Sequence, residues 1–198
     1  MAPLAVYAGS FDPPTNGHVW MIRRAAELFP DVVVAVARNP EKRYTFPLEQ
    51  RLGWLRGIVE PHGNIEVANI ENAFLAHDAR ERGATVVLRG IRNEDDYQYE
   101  RAMRYVNADL NPELTTVFLI PPRTLCELSS SFVKSMIGPD GWEPVVERYV
   151  PEAVFRDLRA WSDRGRPANP DERVAERRNA DDGPAAERPE GRPGGPPG

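Results

Sequence analysis

Residues 7–18 read Y-A-G-S-F-D-P-P-T-N-G-H, and the reading of this stretch decides the fold. Ahead of it, residues 3–8 (P-L-A-V-Y-A) form a short uncharged run with the composition of a strand buried on both faces. Behind it, Val19, Ile22, Ala26 and Phe29 recur at helical spacing, which predicts a helix of about three turns beginning near Gly17. A strand, a Gly/Pro/Asn-rich loop and a helix make the first half of a βαβ unit. The helix N-terminus points unpaired backbone N–H groups over the strand ends, an arrangement that favours phosphate. Gly9 allows close backbone approach, Ser10 offers a hydroxyl, and His18 falls in the first helical turn with its imidazole aimed at an anion. The competing reading is a helix-opening turn with an ordinary capping histidine.

Outward from this stretch the chain alternates. Residues 31–37 (D-V-V-V-A-V-A) are a second β-branched run typical of a central parallel strand. A polar loop, residues 38–47, precedes an amphipathic helix over 48–59 with Leu48, Leu52, Leu55 and Val59 facing inward. Residues 65–68 predict a third strand, and 73–82 a helix ended by Gly83. Residues 85–88 (T-V-V-L) are a fourth strand leading directly into R-G-I-R at 89–92. Residues 95–110 are helical, with Tyr99, Met103 and Val106 on one stripe; 116–120 (T-V-F-L-I) form a fifth strand. Ser129-Ser130-Ser131 opens a helix through Ile137, and a last helix covers 151–161. Five strands alternating with helices imply an α/β fold, a doubly wound five-stranded parallel sheet.

Composition bounds the rest. The chain has 198 residues and a net charge of −5 with both signs interspersed, so no basic field argues for a nucleic-acid partner. The single cysteine, Cys126, excludes an internal disulfide and fits a reducing compartment; with no histidine near it in sequence, it reads as a small packing residue. No apolar run approaches membrane-spanning length and no signal pattern opens the chain, which predicts a cytoplasmic protein without a membrane partner. From residue 163 to 198, prolines aside, Val174 is the only apolar side chain larger than alanine. Such a segment cannot bury enough surface to offset the entropy of ordering it. The expected organisation is a domain over 1–162 and a disordered Pro/Gly/charged tail over 163–198.

Ligands of doubly wound sheets bind in the crevice at the carboxyl ends of the strands. Ser10 and His18 follow strand one, Lys42 follows strand two, Arg89 and Arg92 follow strand four, and the serine run follows strand five. Hydroxyls together with four basic or potentially basic side chains point to a polyphosphate site. The chain offers no obvious general base or protein nucleophile. That set suits attack by one phosphate on another, where catalysis reduces to in-line positioning and charge neutralisation. Asp12 and Asp95 are the only acids close to the site that could hold a metal, and each could equally cap a turn.

These residues carry a resemblance. G-S-F-D-P at 9–13 with T-N-G-H at 15–18 resembles the T-x-G-H signature of the nucleotidyltransferase superfamily, and L-S-S-S at 128–131 resembles its second signature. More narrowly, R-G-I-R at 89–92, D-Y-Q-Y-E at 96–100, Asn107, N-P-E-L at 111–114, R-N-P-E-K at 38–42 and F-P-L-E-Q-R at 46–51 resemble bacterial pantetheine-phosphate adenylyltransferase. The resemblance covers residues 3–160 and implies a Rossmann-like nucleotidyltransferase fold.

It also implies adenylyl transfer from ATP to 4′-phosphopantetheine, giving dephospho-coenzyme A and pyrophosphate in coenzyme A synthesis. Carried over by position, His18 would stabilise the transition state and Ser10 would hold the phosphoryl group passing between the substrates. Lys42 and Arg89 would bind the acceptor's phosphate, with Leu75 and Asn107 along the pantetheine arm. Phe11, Gly90, Ile91, Arg92 and Glu100 would surround ATP, together with Leu125, Cys126, Glu127, Leu128, Ser129, Ser130 and Ser131. Arg92 joins His18, Ser10 and Lys42 in the catalytic set. Mg2+ would accompany the nucleotide, no dedicated protein metal site is expected, and the family usually forms a homohexamer. Relatives commonly carry aromatics near 125 and 127, where this chain has Leu125 and Glu127. Two alternatives remain: another nucleotidyltransferase, such as one acting on nicotinamide mononucleotide, or an adenine-nucleotide-binding regulator without turnover.

Overall fold

The computed structural model describes residues 2–38, 43–71 and 73–164. Lys42 and most of the expected tail therefore lie outside the described residues. The chain divides into residues 1–160 and 161–198.

Five strands, β1 (Leu4–Gly9), β2 (Asp31–Ala37), β3 (Ile65–Ile70), β4 (Val86–Gly90) and β5 (Thr115–Leu119), form one sheet in the order β3-β2-β1-β4-β5. Every pairing is parallel. The expected fold class is the one observed. β1 is central, and Tyr7 stands opposite Val34 on one side and Leu88 on the other. Chain order runs outward from β1 through β2 to β3, then restarts at β4 on β1's other edge. The carboxyl ends of β1 and β4 are therefore the topological switch point, where such sheets open a crevice.

The helices are α1 (Asn16–Leu28), α2 (Leu48–Val59), α3 (Leu75–Glu81), α4 (Glu94–Leu110), α5 (Ser130–Ser135), α6 (Glu143–Val146) and α7 (Glu152–Asp163). Alternation along the buried strands divides the core between the two faces. On one face Tyr7, Val34, Val36 and Leu88 pack with Ile22 of α1 and Leu52, Leu55 and Val59 of α2. On the other, Val6, Val33, Ala35 and Val87 pack with Ala76 and Ala79 of α3 and with Leu114. The inward face of α2 is thus as its spacing predicts, whereas α1 buries Met21, Ile22 and Ala25, with Val19, Ala26 and Phe29 at the margin.

The stripe on α4 is turned differently. Its buried residues are Glu100 and Asn107, while Tyr99 is 60% and Val106 41% exposed. α3 and α5 are shorter than their sequence pattern, and α6, a single turn with proline at its start, gives no periodic signal to read.

Candidate active site

Above the switch point lies a cavity of about 310 Å³. The loop after β1 supplies Ser10 and Thr15, α1 supplies Gly17, His18 and Met21, and β4 with its loop supplies Arg89, Gly90 and Arg92. Glu100 of α4 closes one side, and Pro121, Leu125, Leu128, Ser129, Ser130 and Ser131 close another. Tyr7, Ala8 and Gly9 form the floor. Residues as far apart in sequence as Ser10 and Ser131 therefore meet because each follows the end of a strand or opens the helix beyond it.

His18 is fixed by its own helix turn. Its Nδ1 accepts the backbone N–H of Thr15 at 2.9 Å, and the Thr15 hydroxyl lies at the same distance. This is the reciprocal side of a capping box, with histidine at the position usually held by Glu or Gln. A nitrogen that accepts an amide N–H carries no proton, so the ring's hydrogen is on Nε2. Burial in the pocket wall, then the positive field of Arg92, lower the His18 pKa to about 4. At neutral pH the group is an uncharged imidazole with one oriented donor. The Phe11 ring supports it edge-on, with centroids 5.1 Å apart.

Phe11 itself is fully buried between Tyr7 and His18 and is absent from the cavity lining. Its side chain is a support for the site, so a contact with ATP there would have to use its backbone. Gly9 is explained by the same ring: a Cβ on residue 9 would stand 3.2 Å from the Phe11 ring. Burial also raises the pKa of Tyr7, which keeps its phenol protonated.

Both arginines of the R-G-I-R segment are held by carboxylates of α4. Arg89 binds Glu100 through two nitrogens, its Nε donating at 2.7 Å, and gives a third bond to the Ala8 carbonyl at 2.9 Å. Arg92 makes the same fork with Asp96 at 2.7 and 3.0 Å, and its Nη1 reaches the Leu128 carbonyl at 3.4 Å. Glu100, expected beside ATP, is thus the orienting partner of Arg89. Paired forks of this kind fix planar guanidinium groups in place for a phosphate.

The serine run is partly occupied with structure. Ser129 caps α5 by accepting the Phe132 N–H, and the Ser130 hydroxyl donates to the Pro13 carbonyl at 2.8 Å. Leu75, Ile91, Asn107, Cys126 and Glu127 do not line the cavity. Ile91 is buried with its N–H bound to the Leu119 carbonyl, and the Cys126 thiol points to the Pro121 carbonyl at 3.4 Å. The sequence reading missed Thr15, whose signal was its spacing of three from His18. It also missed Arg51, which is buried and donates to the Ser10 carbonyl at 2.8 Å.

The two acids considered for a metal differ in their surroundings. Asp12 is buried with both oxygens already accepting, from the N–H groups of Thr45 and Phe46 and from Lys134. Asp95 is exposed in the first turn of α4. Among the described residues, no group of three or more His, Cys, Asp or Glu side chains could hold a metal ion. No described helix is long and apolar enough to cross a membrane.

Comparison with known proteins agrees with this geometry. The cytidylyltransferase-like family model matches residues 6–136. The phosphopantetheine adenylyltransferase of Chromobacterium violaceum is 52% identical over 154 residues, covering 78% of this chain and 94% of that one. The chain belongs to the phosphopantetheine adenylyltransferase family. The enzyme of the same name from Neisseria meningitidis serogroup C is 50% identical over 156 residues, 79% of this chain and 92% of its own. Among solved structures, the nicotinic acid mononucleotide adenylyltransferase of Plasmodium falciparum, complexed with APC, superposes with a TM-score of 0.59 at 12% identity. It covers 82% of this chain and 96% of that one. At that identity the likeness speaks for the fold, the Rossmann-like arrangement the family shares.

Proposed function

We propose that this cavity moves the adenylyl group of ATP onto the phosphate of 4′-phosphopantetheine, giving dephospho-coenzyme A and pyrophosphate. An oxygen of the acceptor's phosphate attacks the α-phosphorus, and the bond from that phosphorus to the bridging oxygen of pyrophosphate breaks. The nucleophile is already an anion, so no general base is required, and the protein's task is to align the groups and to meet the charge that grows on the α-phosphate oxygens.

The observation that carries this reading is the locked tautomer of His18. With Nδ1 tied to the Thr15 N–H at 2.9 Å, Nε2–H is an oriented donor that needs no reorganisation when charge develops. The N-terminus of the 13-residue α1 adds its partial positive charge beside it. Arg92, held by Asp96, supplies full charge on the nucleotide's side, with Gly90, Leu125, Leu128 and Ser129 to Ser131 as the wall against ATP. Arg89 and Lys42 hold the acceptor's phosphate, Ser10 meets the transferred group, and Leu75 and Asn107 guide the pantetheine arm.

Magnesium enters this reading as the companion of the nucleotide's phosphates, since the protein offers no carboxylate cage of its own among the described residues. A homohexamer fits as well. Tyr99 at 60%, Tyr105 at 56% and Ile120 at 73% exposure leave apolar surface on α4 and just past edge strand β5 for neighbouring copies to cover. Light scattering on the purified protein gives the assembly mass directly. A cytoplasmic setting suits a chain with one unpaired cysteine.

The test is pyrophosphate release from ATP with phosphopantetheine, with nicotinamide mononucleotide, or with neither. Turnover with the first alone supports the assignment. Preference for the mononucleotide, or no turnover at all, overturns it.

A further inference from the structure

Asp12 lies two residues beyond Ser10, is 4% exposed, and does not line the cavity. Its carboxylate nevertheless gathers three separate parts of the chain. Oδ2 accepts the Thr45 N–H at 3.0 Å and the Lys134 ammonium at 2.8 Å, while Oδ1 accepts the Phe46 N–H at 2.9 Å. Lys134 also donates to the Thr45 hydroxyl at 3.0 Å. The three parts are the β1–α1 loop, the end of the β2–α2 connection, and α5.

Two of these parts, the β1–α1 loop and α5, border the cavity. Ser10 precedes Asp12 in the loop and His18 follows it in the first turn of α1, while Ser129 caps α5, whose first residues Ser130 and Ser131 line the cavity with it. The Ser130 hydroxyl bonded to the Pro13 carbonyl is a second tie between the same two walls, made one residue from Asp12. Phe11, adjacent to Asp12, holds a left-handed backbone with φ of 47°, a conformation that persists in a bulky residue only when its surroundings impose it. The bonds at Asp12 and the packing of Phe11 between Tyr7 and His18 are part of those surroundings.

A buried ion pair is a poor way to gain stability, since desolvation consumes most of the attraction. What it does supply is direction: an ammonium and a carboxylate with two amide donors fix separations that an apolar contact leaves free. We propose that Asp12 and Lys134 are positioning residues for adenylyl transfer, setting the β1–α1 loop against the serine wall from behind the cavity. The proposal rests on the function given above, and it assigns neither residue a contact with substrate.

The experiment compares Asp12→Asn, Lys134→Met, Lys134→Arg and the Asp12→Asn/Lys134→Met double variant. Readouts are kcat for pyrophosphate release with ATP and phosphopantetheine, calorimetric ATP affinity, and melting temperature. Misplacing reacting groups by about 1 Å can cost on the order of a hundredfold. Asp12→Asn and Lys134→Met should therefore lower kcat by roughly 10- to 100-fold, with ATP affinity within about threefold of wild type. Lys134→Arg should recover most of the loss, and the double variant should be no slower than the worse single variant, because the pair acts as one unit. Should Asp12→Asn not fold, Thr45→Val removes only the hydroxyl that accepts from Lys134, and a severalfold drop in kcat is expected from it as well. Unchanged kcat in the folded variants, or losses that multiply in the double variant, overturns the proposal. Failure of the wild type to turn over phosphopantetheine overturns the function instead, so the two failures are told apart.

Discussion

Arg89 and Glu100 face each other across the side of the cavity in a two-pronged ion pair, with side chains 24% and 11% exposed. β4 brings one and α4 the other, and the Ala8 carbonyl takes a third bond from the arginine. Such a guanidinium is neither free to drift nor fully neutralised, because its remaining hydrogens can still meet a phosphate.

Removing the carboxylate should therefore cost stability and precision together. Glu100→Ala leaves a mostly buried cation without its counter-charge, which in deep interiors costs about 3–5 kcal/mol; the neighbouring cavity admits water, so about 2 kcal/mol is expected here. Urea unfolding with and without phosphopantetheine checks it. The ligand should stabilise the variant more than the wild type, since its phosphate replaces part of the missing charge. Equal stabilisation of both would mean that the acceptor's phosphate does not meet Arg89.

His18 sets the pH behaviour. Its pKa falls from 6.5 to about 4 on folding, so between those values the unfolded chain binds a proton that the folded chain refuses. This residue then lowers stability as pH drops through that window and adds nothing above it. The ring should stay neutral, with its proton on Nε2, from pH 8 down to about 5.5, and kcat should show no acid limb near 6.5 from this group. Nitrogen-detected spectra of the imidazole decide the matter, and a doubly protonated ring at pH 6 would contradict it.

The third expectation concerns Lys42, in the polar connection between β2 and α2. Lys42→Ala should raise KM for phosphopantetheine and also lower kcat, because the phosphate it holds is itself the nucleophile. ATP affinity should change far less. Equal weakening of both substrates would move Lys42 to the nucleotide's phosphates.

Much of this was readable before any coordinates because it depends on local pattern. Residues 31–37 have the β-branched composition typical of a central parallel strand, and the uncharged run ahead of Gly9 that of a strand buried on both faces, so two adjacent strands of the sheet were legible from composition. His18 stood out because it falls in the first turn of a helix whose start near Gly17 the Gly/Pro/Asn-rich loop marks. The roles of the acids were less accessible. Glu100 read only as a nucleotide contact and Asp96 only as part of the D-Y-Q-Y-E motif; their ion pairs with Arg89 and Arg92 were not visible, because only the placing of α4 beside the end of β4 brings them together. Asp12 and Lys134 are 122 residues apart, beyond the reach of any periodicity. The stripe of Tyr99 and Val106 misleads for a different reason: apolar spacing reports a face that wants covering, not which surface covers it.

The central claim is that His18 serves the transition state and not the bound substrate. Its donor gains most when charge gathers on the α-phosphate oxygens, and removing one donor of that kind typically costs on the order of 10²–10³ in kcat. The most direct measurement sets calorimetric ATP affinity beside steady-state pyrophosphate release for His18→Ala. The account predicts ATP affinity within several-fold of wild type and turnover at least about a hundredfold slower. An equal fall in ATP affinity and kcat/KM, with kcat preserved, would make His18 a ground-state binding residue and contradict the account.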